Sequence, residues 1–178
     1  KSYASKNVRV REVPEVRACL EALAAAEVAK SFRWYEPLAT AWSRAAKVRD
    51  PGFAAFPVLR GEAEAAWEAA RAEADKDLKA IESAGDVRRR VALCLEGCAR
   101  YAKTPWEAGF RGVREKMEKD PTWREAAEAA KAGLDEWRML QAAAREDLAG
   151  RDARAKGMYE EFLKKHPQSP FAEALRER

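Results

Sequence analysis

An all-α protein is predicted here by how apolar side chains are spaced. They recur at steps of three and four residues along nearly the whole chain, which is the period of one helix face. Alanine runs such as Ala24-Ala25-Ala26 and Ala142-Ala143-Ala144 are interleaved with Glu, Lys and Arg, all good helix formers. Proline and glycine break the pattern at intervals that suit short connections, and stretches with the period of a strand are nearly absent. The expected architecture is a set of stacked antiparallel helical hairpins, either a solenoid or an irregular helical bundle.

Taken in order, residues 1–12, with Asn7-Val8-Arg9-Val10-Arg11, alternate with a period of two. They read as a linker or as the end of a preceding domain. The chain opens at Lys1 and not at methionine, as a trimmed or mature fragment would. A single helical domain is expected over residues 13–178. Pro14 suits a first helical turn, where a missing N–H costs nothing, and Val16, Leu20 and Leu23 supply the stripe. A break near Ser31 to Arg33 precedes a second helix from Glu36 to Val48, with Pro37 in its first turn and Tyr35, Leu38, Trp42 and Ala45 along its face. Asp50-Pro51-Gly52 ends it, and Phe53-Ala54-Ala55-Phe56-Pro57 reads as an apolar connector.

Leu59, Ala63, Trp67, Ala70, Ala74, Leu78 and Ile81 mark a long helix closed by Gly85. Asp86 can cap the next, whose stripe is Val87, Val91, Cys94, Leu95, Cys98 and Tyr101 or Ala102. Thr104 and Glu107 have the spacing of a capping box before Trp106, Phe110, Val113 and Met117. After a turn at Lys119 to Thr122, a heptad-like seam runs Trp123, Ala127, Ala130, Leu134, Trp137, Gln141, Ala144 and Leu148, and Gly150 closes it. A final pair follows, with Ala155, Tyr159, Phe162 and Leu163 on one face, then a break at His166-Pro167-Gln168-Ser169-Pro170-Phe171. The total is about eight helices in consecutive antiparallel pairs.

Composition bounds what such a chain can do. Its 178 residues are 47% hydrophobic and 36% charged, too apolar for a disordered tail. A net charge of +4 spread over alternating acids and bases implies no strong steering field. Arg88-Arg89-Arg90 is the densest basic run; it reads as the wet side of a helix, with a phosphate contact as the alternative, and a nucleic-acid partner is not expected. No apolar run reaches the roughly 18 to 20 residues of a membrane helix, so no span is expected.

The last pair carries a family resemblance. Ala155, Tyr159 and Pro167 stand at the intervals that mark the second helix of a tetratricopeptide repeat. Residues 136–178 as a unit, through Tyr159, Phe162, Leu163, His166, Pro167, Ser169, Pro170, Phe171 and Ala172, resemble repeats common in bacterial envelope proteins. Met139, Ala143 and Glu146 depart from the pattern on the first helix. Pro51, Pro121 and Pro167 lie 70 and 46 residues apart, unlike the roughly 34 of a regular array. The earlier pairs therefore read as divergent hairpins. The resemblance implies a protein-binding scaffold and favours the periplasm or cell envelope over the cytoplasm.

Catalytic spacings are not found. His166 is the single histidine and sits in a turn, the nine glycines form no phosphate loop, and carboxylate pairs such as Glu160-Glu161 or Asp75 and Asp77 fall on faces read as wet. Cys19, Cys94 and Cys98 lie on apolar stripes as small hydrophobes. Cys94 and Cys98 share a face, roughly 5 to 6 Å apart at Cβ, wider than the roughly 3.5 to 4.5 Å a disulfide prefers. Trp42, Trp67, Trp106, Trp123 and Trp137 read as core fillers. Phe32-Arg33-Trp34-Tyr35 concentrates aromatics and a cation at a helix junction, where Arg33, Trp34 and Tyr35 read either as packing or as a partner-binding patch. The expected function is non-catalytic: a protein-interaction scaffold, a module of a larger bacterial protein, with another protein or a peptide segment as partner and no cofactor or metal. The alternative is an accessory helical domain of a thiol or redox enzyme whose catalytic domain precedes residue 1, with Cys94 and Cys98 contributing.

Overall fold

A computed structural model describes residues 13–52, 54–169 and 171–176, the side chains of residues 173, 174 and 176 excepted. The expectations for residues 1–12, Phe53 and Pro170 lie outside the described residues. The protein is all-α. Its helices in chain order are α1 Pro14–Phe32, α2 Glu36–Ala45, α3 Phe56–Ser83, α4 Val87–Arg100, α5 Glu107–Met117, α6 Trp123–Leu148, α7 Asp152–Lys165 and α8 Phe171–Arg176. Among the described residues no helix is long and apolar enough to cross a membrane.

Local chemistry explains most of the boundaries. Prolines sit in the first turns of α1, α2 and α3, where ring-fixed φ suits the helix and no N–H is needed. The Asp86 carboxylate accepts from the Arg89 backbone N–H at 2.8 Å, capping α4 as its spacing predicts. Arg90 wraps back onto the carbonyl of Ala84, through Nε at 3.1 Å and Nη2 at 2.6 Å, and so satisfies the end of α3.

Three boundaries differ from expectation. Helix α2 stops at Ala45, three residues before Val48, and α3 starts at Phe56, inside the stretch read as a connector, because Phe56 is buried in the core and Pro57 can start a helix. The capping box is displaced by one residue. Thr104 Oγ1 donates to the Tyr101 carbonyl at 2.6 Å, while Glu107 accepts from the backbone N–H of Lys103 at 2.7 Å, so α5 begins at Glu107 without a side-chain N-cap.

Helix α1 lies at the centre, packed against α2, α3 and α6. Its most deeply buried face runs through Val16, Cys19, Ala22, Ala25, Ala29 and Phe32, and Leu20 and Leu23 flank it half-buried. Small alanines there let neighbouring helices approach closely. Helix α4 packs on α3, α5 and α6, and α6 on α7, so α6 turns back past α5 to reach both α4 and α1.

Two apolar clusters result. The first gathers α1 to α5 around Leu38, Phe56, Ile81, Tyr101 and Phe110. The second joins Val28, Phe32 and Trp34 to Trp137, Leu140, Ala144, Phe162 and Leu175. Helix α1 belongs to both. The Trp137 indole N–H donates to the Phe32 carbonyl at 2.9 Å, satisfying an orphan acceptor at the end of α1 and fixing α6 on it.

Aromatic rings link the elements of the first cluster. Trp42 stacks near Trp67, and Trp67 lies 4.5 Å from Trp106 between centroids. Tyr101 is sandwiched between Tyr35 and Phe110, each at 4.6 Å and nearly parallel, with Trp106 edge-on at 6.0 Å. In the C-terminal pair, Ala155 and Phe162 are buried, Tyr159 stacks near Phe32, and the His166 backbone N–H closes α7 on the Phe162 carbonyl at 2.8 Å.

Candidate functional site

The junction between α1 and α2 is built around Arg33, which caps α1 in the left-handed region with φ 51°. Such a conformation is costly for a non-glycine residue and persists where neighbours hold it. Asp77 of α3 supplies that hold. Arg33 Nη2 donates to both Asp77 oxygens, at 2.7 and 2.8 Å, the Tyr101 hydroxyl donates to Asp77 Oδ2 at 3.0 Å, and Arg100 Nη1 stands 3.6 Å from it. Burial works against the Arg33 charge, but Asp77, through attraction and hydrogen bonding, more than offsets it and raises the guanidinium pKa. Burial, with Tyr35 and Asp77 beside it, pushes the Tyr101 hydroxyl far up, so it stays a neutral donor.

This arrangement turns the Arg33-Trp34-Tyr35 triad inward. Trp34 and Tyr35 are only 3% and 5% exposed, and Arg33 is tied to Asp77. Trp34 packs in one cluster with Trp137 and Leu140 of α6, the Tyr35 ring stacks on Tyr101, and the Arg33 cation answers a half-buried carboxylate. Asp77, expected on a wet face, stands instead at the centre of this network, while Asp75, Glu160 and Glu161 are exposed.

What the junction does present is the groove beside it. Ala24 and Ala25 of α1, Pro37, Thr40 and Ala41 of α2, and Leu148 of α6 line an open groove of about 470 Å³, with Trp34 in its wall. Leu148 belongs to the expected core seam but is 41% exposed, because the buried face of α6 is Trp137, Leu140, Ala143 and Ala144. The Arg145 guanidinium lies 5.1 Å over the Trp34 ring and 3.6 Å from Glu36, and Arg44 pairs with Glu21 at 3.1 Å. The groove thus has an apolar lining and borders of both charges. Sequence reasoning missed Leu148, Arg145, Arg44 and Glu21 as groove residues. The available signal was the second apolar stripe on α6, which leaves Leu148 outside the core.

Other candidates resolve as follows. Arg88 pairs with Glu125 and Arg90 caps α3, so two of the three cations of the basic run are engaged within the fold, while Arg89 is exposed. His166 Nδ1 stands 3.4 Å from Glu136, and its ring packs 5.1 Å from that of Phe162. Cys19 and Cys94 are buried and Cys98 is half-buried, all as free thiols. Among the described residues no three His, Cys, Asp or Glu side chains gather where they could hold a metal ion. No family model, curated protein or solved structure matches the chain.

Proposed function

We propose that this protein is a non-catalytic interaction module that holds an amphipathic peptide or helix of another protein in the groove between α1, α2 and the end of α6. The observation that carries this reading is Leu148, a large apolar side chain exposed at the rim of a groove walled by alanines and Trp34. A segment with one apolar anchor flanked by charges of both signs suits that lining, since the anchor would cover Leu148 while the flanks meet the Glu21–Arg44 and Glu36–Arg145 pairs. The repeat resemblance of residues 136–178 supports reading the chain as a module of a larger bacterial protein of the cell envelope.

Affinity capture from expressing cells, with three baits compared quantitatively, tests it. Val58, 62% exposed on α3, serves as the control site because it is outside the groove lining. A partner should be retained by the wild type and by Val58→Asp, and its recovery should fall about tenfold with Leu148→Asp, equivalent to about 1.4 kcal/mol. Equal recovery on all three baits would remove the groove from the function.

A further inference from the structure

We propose that the segment held in the groove between α1, α2 and the end of α6 is acidic: an apolar anchor covers Leu148, with a carboxylate on either side of it, one met by Arg145 and the other by Arg44. This rests on the groove being the binding surface and adds the charge of its occupant. Both signs border the groove, but not in equal number. Glu21 is shared by Arg17, at 3.2 Å, and Arg44, at 3.1 Å. Glu36 is shared by Lys103, at 2.8 Å, and Arg145, at 3.6 Å. Each carboxylate answers two cations, so each end of the groove keeps one positive charge in excess, and acid predominates among the flanking charges that suit it.

The two arginines are placed to use that excess. Lys103 is within hydrogen-bonding distance of Glu36, whereas the 3.6 Å contact of Arg145 is longer than a hydrogen bond and leaves its donors to offer. Its guanidinium is held 5.1 Å over the Trp34 ring, so the cation is in position before a ligand arrives. Arg44 turns one nitrogen to Glu21, and a guanidinium carries five N–H donors. Both side chains are more than half exposed, and a ligand carboxylate reaches them without disturbing the core.

Spacing gives the occupant its shape. Glu36, which marks the Arg145 end, and Arg44 lie at opposite ends of α2, about 12 Å apart along its axis at about 1.5 Å per residue. A docked helix spans the same distance between acids placed four residues before and four residues after an apolar anchor, close to one face with it. The floor between the two ends is apolar, with Ala24, Ala25, Pro37 and Ala41. Its aromatic ring, Trp34, is 3% exposed and offers no open face for a base to stack on, which favours a peptide over a nucleic acid.

The test is an anisotropy titration of the full chain with three labelled helical peptides, each with a leucine and a charged or polar residue four positions to either side of it: glutamate in one, glutamine in the second, lysine in the third. A labelled thymidine oligonucleotide is titrated alongside. The glutamate peptide should bind most tightly and the glutamine peptide about tenfold more weakly, at about threefold for each exposed ion pair. Arg145→Gln and Arg44→Gln, both at exposed side chains, should each cut that preference to about threefold, and raised salt should shrink it. Leu148→Ser should weaken the glutamate and glutamine peptides alike. Equal binding of all three peptides, lost in Leu148→Ser, overturns the acidic occupant and leaves the groove standing. A preference for glutamate that ignores the arginine substitutions also overturns it, and one that ignores Leu148→Ser overturns the groove as well. Tighter binding of the oligonucleotide than of the glutamate peptide makes the occupant a nucleic acid instead. Failure of every peptide to bind overturns this occupant, and capture with Leu148→Asp then decides the groove by itself.

Discussion

Asp77 is held from three sides, by Arg33, Tyr101 and Arg100, and each donor comes from a chain segment remote from α3 in sequence. Removing one of them leaves the carboxylate half-buried with fewer donors. Tyr101→Phe keeps the ring stack with Tyr35 and Phe110 and deletes only the hydroxyl. A hydrogen bond to a charged group is worth about 1.5–3 kcal/mol, so urea unfolding should show a loss of that size. No loss would mean that the two arginines satisfy Asp77 alone. A clue to this residue exists in the sequence, since Asp77 lies three positions after Ala74 and four before Ile81, both buried, and so shares their face. Its partners are illegible there, because Arg33 is 44 residues away and no local window links them.

At the scale of elements, α4 and α5 approach through Gly97. A Cβ at that position would stand 2.4 Å and 2.5 Å from two atoms of the Phe110 ring. Phe110 cannot yield easily, being stacked on Tyr101 and fully buried. Gly97→Ala gains about 1 kcal/mol of helix propensity in an exposed helix, yet overpacking a core costs about 1–3 kcal/mol. Thermal unfolding should therefore move to lower temperature, and a rise would show that α5 is not closed on α4. Most helices here are legible from Pro14, Pro37, Asp86 and the apolar period, since these act within a turn. The start of α5 is less so. Lys103 takes a positive φ of 59°, which hands Glu107 to the Lys103 N–H and leaves Thr104 to bond backwards to Tyr101. The sequence gives no sign of a role for Gly97, which the Phe110 ring lying on it makes plain.

For the whole molecule, acid is the condition that acts on many elements together. Glu107 is held below its usual range by the Lys103 backbone N–H and by Arg111, Asp120 by Thr122, Glu146 by Arg151, and Glu161 by Lys165. A carboxylate that is more acidic in the folded chain binds fewer protons than in the unfolded one, so its contribution is complete above the ordinary value and declines below it. The ordinary values are 4.5 for these glutamates and 3.8 for Asp120. Urea midpoints should thus be level between pH 7 and pH 5 and fall as the pH drops through 4.5 and 3.8 and below. A midpoint that climbs on acidification to pH 3 would contradict these pairings.

Helix content, most helix starts and the packing of Trp42, Trp67, Trp106 and Trp137 on a core were settled by short-range chemistry: propensity, caps, proline placement and a period of three to four; Trp123, expected in the core, joins neither cluster. The choice of faces was not so settled. The Trp137 indole reaches the Phe32 carbonyl across 105 residues, and in the α6–α1 packing that it joins, Leu148 is left in the open and Trp34 is covered. Periodicity tells a helix that it has an apolar side; it does not say which other helix will bury it, because burial is non-directional and the alternatives differ only in how the assembled surfaces fit.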